Sequence, residues 1–184
     1  MNLPNILTMS RIVLAVVLVF LLGQGSSIGN ILGVVVFIIA SLTDFYDGHL
    51  AKQQGLVSDF GKIMDPIADK ILLLSVFGVL AHIGMIAWWM FIVIAIREIL
   101  VTMSRLWACH QGQVLAAERV GKIKTVIQMM AVLVILFYLV AKPGDFRSLW
   151  LGLINVFMWA AVILTVYSGA EYFRNKNICH SRKL

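Results

Sequence analysis

Polar interruptions cut this 184-residue chain into six apolar stretches, each near the length of about 20 residues that a helix needs to cross a bilayer core. The stretches run from about Ile12 to Ile28, Ile31 to Ala51, Lys62 to Ile83, Ile86 to Cys109, Gly121 to Val140 and Leu149 to Phe173. Only 13% of residues are charged and 61% are hydrophobic, whereas a water-soluble domain needs about a quarter charged to cover its surface. The pattern predicts an all-α integral membrane protein with six transmembrane helices, one domain over residues 1–184. Within residues 1–11, Leu3, Ile6, Leu7 and Met9 fall roughly on one side and Asn5, Thr8 and Arg11 elsewhere, which predicts a short interfacial helix before the first span. A cleaved signal peptide fits residues 1–29 less well, because the small-residue cleavage pattern is missing and Arg11 is the sole basic residue before the apolar run.

Orientation follows from lysine and arginine. With the N-terminus cytoplasmic, the inner segments hold Arg11, Lys52, Lys62, Lys70, Arg105, Arg119, Lys122, Lys124, Arg174, Lys176, Arg182 and Lys183, and the outer ones only Lys142 and Arg147. Such a bias places both termini in the cytoplasm. Trp88, Trp89 and Trp150 then fall beside outer loops, where indole favours the headgroup layer. The net charge of +6 is accounted for by this bias, and with no separate basic domain nucleic acid is not an expected partner. The tail 175–184 is basic and is expected against anionic membrane lipids. Cys109 and Cys179 are too few for a disulfide framework and lack metal-site spacing.

Charge inside an apolar span costs about 2.5 to 3.5 kcal/mol per residue at the helix centre, so it needs a reason. Asp44 and Asp47 stand three apart at the inner end of the second stretch, and Asp65 and Asp69 four apart at the start of the third. Either spacing puts a pair on one face of a helix. The connection between them is short enough to make the helices neighbours, and four converging carboxylates cannot all ionise unless cations sit between them. Hard oxygen donors favour magnesium or manganese, and two such ions can clamp a phosphoryl group under attack. Other readings remain open on the residues alone. Asp65 ahead of Pro66 fits an N-cap, and intramembrane carboxylates also line divalent-cation or proton transporters, though usually near the midplane.

Asp44, Asp47, Gly48, Ala51, Lys52, Gly61, Asp65 and Asp69 resemble the signature of the CDP-alcohol phosphatidyltransferase family, D-x2-D-G-x2-A-R-x8-G-x3-D-x3-D, with Lys52 in place of the usual arginine. The resemblance implies a membrane enzyme, commonly a homodimer, that moves a phosphatidyl group from a CDP-linked lipid to an alcohol and releases CMP. It implies that Asp44, Asp47, Asp65 and Asp69 hold two Mg2+ (or Mn2+) ions, with Asp69 also the general base. It further implies that Asn5, Thr8, Gly48, Lys52, Ser58 and Gly61 bind the CDP-lipid.

The acceptor is addressed by another segment. Gly121, Lys122, Lys124, Thr125 and Gln128 open a helix with free backbone N–H groups and two ammonium groups, which suits one anion. Arg105 and Arg119 lie nearby in sequence, and Arg97 either faces a polar cavity or pairs with Glu98. As plain positive-inside anchors these cations would carry no chemistry. The stretches Pro4 to Arg11, Arg97 to Ile99 and Gly121 to Thr125 resemble bacterial members of the family whose acceptor is sn-glycerol 3-phosphate. That resemblance implies CDP-diacylglycerol as donor, an acceptor phosphate held by Arg105, Arg119, Lys122 and Lys124, and a multi-pass place in the cell (inner) membrane. A sister enzyme for serine or inositol phosphate is the nearest alternative.

Overall fold

The computed structural model describes the backbone of residues 3–54, 59–110, 119–142 and 144–181, and the side chains of 9–43, 67–108, 121–142, 144–172 and 174. Among these residues there are six α-helices and no strand: α1 (Leu3–Gly23), α2 (Ser27–Gln54), α3 (Asp59–His82), α4 (Trp88–His110), α5 (Arg119–Ala141) and α6 (Arg147–Ser181). The expected all-helical class holds, one helix for each apolar stretch. Among the described residues two helices, over Gly121–Ala141 and Arg147–Tyr172, are long and apolar enough to cross a membrane, with shorter apolar helices at Met9–Gly23 and Ser27–Thr43.

Several expected boundaries shift. No break separates an interfacial helix from the first span, because residues 3–11 contain neither glycine nor a stop signal and Pro4 stands in the first turn, where its missing N–H costs nothing. The first span closes at Gly23 instead of near Ile28, since Ser26 caps the next helix: its Oγ accepts the Gly29 N–H at 2.9 Å. Asp65 and Pro66 lie inside α3, so the N-cap reading of Asp65 does not hold. The fifth helix begins at Arg119, two residues before the expected start at Gly121, and α6 carries its helix through 175–181 of the basic tail.

The described chain divides into two compact units, one of residues 1–86 with 135–142, the other of 87–134 with 143–184. In the first, α1 packs on both α2 and α3. Its buried face is Arg11, Ala15, Leu18 and Leu22, spaced by three and four as one helical stripe demands, and Phe37 and Ala40 of α2 and Val76 and Phe77 of α3 are likewise buried. The opposite face is Val13, Val16 and Phe20, each at least 60% exposed. A helix apolar on both faces has hydrocarbon, not water, as its solvent. Gly29 and Gly33 bring α2 against α1: a Cβ would meet the Leu21 carbonyl oxygen at 2.5 Å at the first and Leu22 Cδ2 at 2.6 Å at the second. Such small-residue spacing permits backbone approach where lipid supplies no hydrophobic drive. At the far end α3 stops in a Schellman turn, Met85 N–H to Leu80 O at 2.9 Å and Gly84 N–H to Ala81 O at 3.1 Å, with Gly84 at φ +75°.

In the second unit α4 packs on α6. The α6 seam is Ile154, Met158, Ala161, Thr165, Ser168 and Tyr172, all buried. Its alternating steps of four and three are the repeat of knobs-into-holes packing. Trp88 and Trp89 open α4, and the Trp89 ring lies tilted against Trp159 with centroids 5.4 Å apart.

Candidate active site

The four aspartates fall on two helices. Asp44 and Asp47 lie in α2, Asp65 and Asp69 in α3, and helical backbone through both segments puts each pair on one face of its helix. The side chains of Asp44, Asp47 and Asp65 lie outside the described residues, as do those of Asn5, Thr8, Lys52 and Arg119, the surroundings of Gly48 and Gly61, and Ser58 altogether. Asp69 is described. It is partly buried, and its Oδ2 accepts from Lys70 Nζ at 2.9 Å. Among the described residues no three His, Cys, Asp or Glu side chains form a metal-binding group. The donor set itself, four carboxylates on two helices, has the hard-oxygen chemistry that suits Mg2+ or Mn2+.

The cationic residues divide by exposure. Lys122 in the first turn of α5 and Arg105 on α4 are exposed. The Arg105 guanidinium lies 5.6 Å from the centroid of the buried Tyr172 ring, whose hydroxyl is 3.3 Å from Ser104 Oγ. Stacking of this kind steadies a guanidinium without consuming its donors. Lys124, by contrast, is 2% exposed and its ammonium donates to Glu98 Oε1, a carboxylate 1% exposed. Arg97 Nη1 approaches the same oxygen at 3.5 Å, while its Nη2 donates to Ser168 Oγ at 2.8 Å. The pairing reading of Arg97 is therefore the one the structure supports. Gln128 Nε2 donates to Thr165 Oγ1 at 3.1 Å and lies 3.4 Å from Glu98 Oε1. An ionised carboxylate only accepts, so it fixes which end of the amide faces it.

In the sequence Glu98 stands out only as a partner for Arg97, not as the carboxylate that also gathers Lys124 and Gln128. The signal was present: Lys124 and Gln128 are four apart on one helix face, and Thr165 and Ser168 are polar members of an otherwise apolar α6 seam.

The CDP-alcohol phosphatidyltransferase family model matches residues 1–167. The chain belongs to that family. Among curated relatives, the CDP-diacylglycerol--glycerol-3-phosphate 3-phosphatidyltransferase of Bacillus subtilis is 36% identical, covering 94% of this chain and 93% of the relative. The enzyme of the same name from Rickettsia typhi is 34% identical over 94% of this chain and 96% of its own length. A probable phosphatidylglycerophosphate synthase of Mycobacterium tuberculosis is 36% identical over 93% of this chain and 79% of its own length. As a CDP-alcohol phosphatidyltransferase the chain is a transferase of a generally metal-dependent family. Its aspartate motif in α2 and α3 falls wholly within the matched residues.

Proposed function

We propose that this chain transfers the phosphatidyl group of CDP-diacylglycerol to sn-glycerol 3-phosphate, giving phosphatidylglycerophosphate and CMP. The observation that carries this reading is likeness along nearly the whole chain to relatives that bear that activity in their names. Asp44, Asp47, Asp65 and Asp69 would hold two Mg2+ or Mn2+ ions, which when bound neutralise the charge on the diphosphate. Asp69 takes the proton of the acceptor hydroxyl. The resulting alkoxide bonds to the lipid-side phosphorus as the bond from that phosphorus to the CMP oxygen breaks, and CMP leaves with the electron pair. Asn5, Thr8, Gly48, Lys52, Ser58 and Gly61 bind the CDP-lipid. Lys52 offers a point charge where arginine would offer a fork.

Arg105, Arg119, Lys122 and Lys124 hold the acceptor phosphate, an anion that needs several cations once it leaves water. The exposure of Arg105 and Lys122 supports their part, whereas Lys124 contributes from its pairing with Glu98. All six helices cross the cell (inner) membrane, both termini face the cytoplasm, the chain works as one membrane domain, and it pairs as a homodimer. An active site at the cytoplasmic interface would spare both substrates a crossing, one being lipid and the other soluble.

The test is CMP release by purified protein given Mg2+ and CDP-diacylglycerol with sn-glycerol 3-phosphate, serine or inositol phosphate in turn. Release with glycerol 3-phosphate alone is expected. Release only with another acceptor would assign a sister activity, and divalent-cation uptake by sealed vesicles without any CMP would replace the enzyme by a transporter.

A further inference from the structure

α5 presents apolar side chains in every direction. Ile123, Val126, Met130 and Phe137 are exposed, and Ala131, Val132, Ile135 and Leu136 are buried. In hydrocarbon a helix of this kind has little preference for one rotation about its axis, because turning it exchanges one apolar face for another. Rotation has to be set by polar contacts, which in lipid favour few arrangements. On the first three turns of α5 those contacts converge on Glu98. Its Oε1 receives the ammonium of Lys124, and lies 3.4 Å from Gln128 Nε2 and 3.5 Å from Arg97 Nη1. Gln128 and Arg97 then tie the group to Thr165 and Ser168 of α6. Glu98, Lys124, Gln128, Thr165 and Ser168 are each at most 2% exposed.

Lys124 is two residues from Lys122 and three from Gly121. Fixing its direction therefore fixes which way the first turn of α5 aims its N–H groups and the Lys122 ammonium. We propose that Glu98 is a positioning residue for the acceptor: through Lys124 it locks the rotation of α5 and so aims the α5 phosphate cradle. The idea rests on the acceptor reading above for its kinetic consequence, though not for its structural one.

Glu98→Gln keeps the side-chain shape and removes the charge that holds Lys124. Its KM for sn-glycerol 3-phosphate is expected to rise at least about tenfold, the gain of one charge-assisted contact, while KM for CDP-diacylglycerol stays unchanged. Unchanged KM for the acceptor with only a lower melting temperature would make Glu98 merely structural and overturn the proposal. Because a lone Lys124 charge in the interior can prevent folding, the double variant Glu98→Gln with Lys124→Met removes both charges. It is expected to fold, and because Lys124 is itself among the acceptor's cations, the lock in this variant is read from the rotation of α5 and not from KM. A nitroxide at Ile123, now lipid-facing, gives a readout independent of acceptor. Its oxygen-collision rate should fall in the double variant, and an unchanged rate contradicts the lock. Wild-type protein that releases no CMP with glycerol 3-phosphate would instead refute the acceptor reading, leaving the nitroxide result to decide the lock.

Discussion

Asp69 accepts from Lys70 on one of its oxygens, and four residues earlier on the same face of α3 stands Asp65. A carboxylate asked both to share cations and to take a proton loses both roles when its charge is removed. Asp69→Asn is therefore expected to lower CMP release by about a hundredfold to ten-thousandfold, the usual span for a lost general base. A steady-state assay on folded, detergent-solubilised protein checks this, and a loss under tenfold would take Asp69 out of the chemistry. At this scale the sequence was legible where charge stood against an apolar background, as with the aspartates and the cations of α4 and α5. Glu98 was not, because a carboxylate adjacent to Arg97 is accounted for locally. Only the fold brings Lys124 and Gln128, 26 and 30 positions later, to its Oε1.

The helices themselves could be read from the polar interruptions, and their errors have a common cause. Hydropathy reports where lipid could be, while backbone hydrogen bonding reports where the helix stops. Thus α1 runs unbroken from Leu3, and α3 begins at Asp59, before the apolar run. The α1–α2 contact shows what apolar periodicity leaves out. Gly29 reads as a loop residue in sequence, yet it lies in α2 where a Cβ would meet backbone oxygen. Gly29→Ala is expected to cost about 1 to 3 kcal/mol, as overpacking does, since a carbonyl cannot swing aside. Gly152→Ala on α6, with nothing within 4 Å of the added Cβ, should gain about 0.5 to 1 kcal/mol. Reversible unfolding in detergent measures both. Equal effects would mean that Gly29 does not set the α1–α2 distance.

For the molecule as a whole, the distribution of lysine and arginine makes a topological claim. An impermeant maleimide should leave the native Cys109 and Cys179 unlabelled in intact cells and reach Cys179 in inverted vesicles. A cysteine replacing Asp145, exposed before α6, should show the reverse. Labelling of Cys179 in intact cells would invert the whole arrangement. Membership of the CDP-alcohol phosphatidyltransferase family could be read from eight residues within a span of 26, because fixed offsets between named residues are far more specific than apolar composition.

The proposal that the aspartates of α2 and α3 share cations is tested most directly by counting Mn2+ bound to purified protein by electron paramagnetic resonance, with CDP-diacylglycerol present. Two ions per chain are expected, fewer in Asp65→Asn, and none once Asp44, Asp47, Asp65 and Asp69 are all asparagine in protein shown to be folded. Two ions retained by that fourfold variant would place the metals elsewhere and contradict the mechanism.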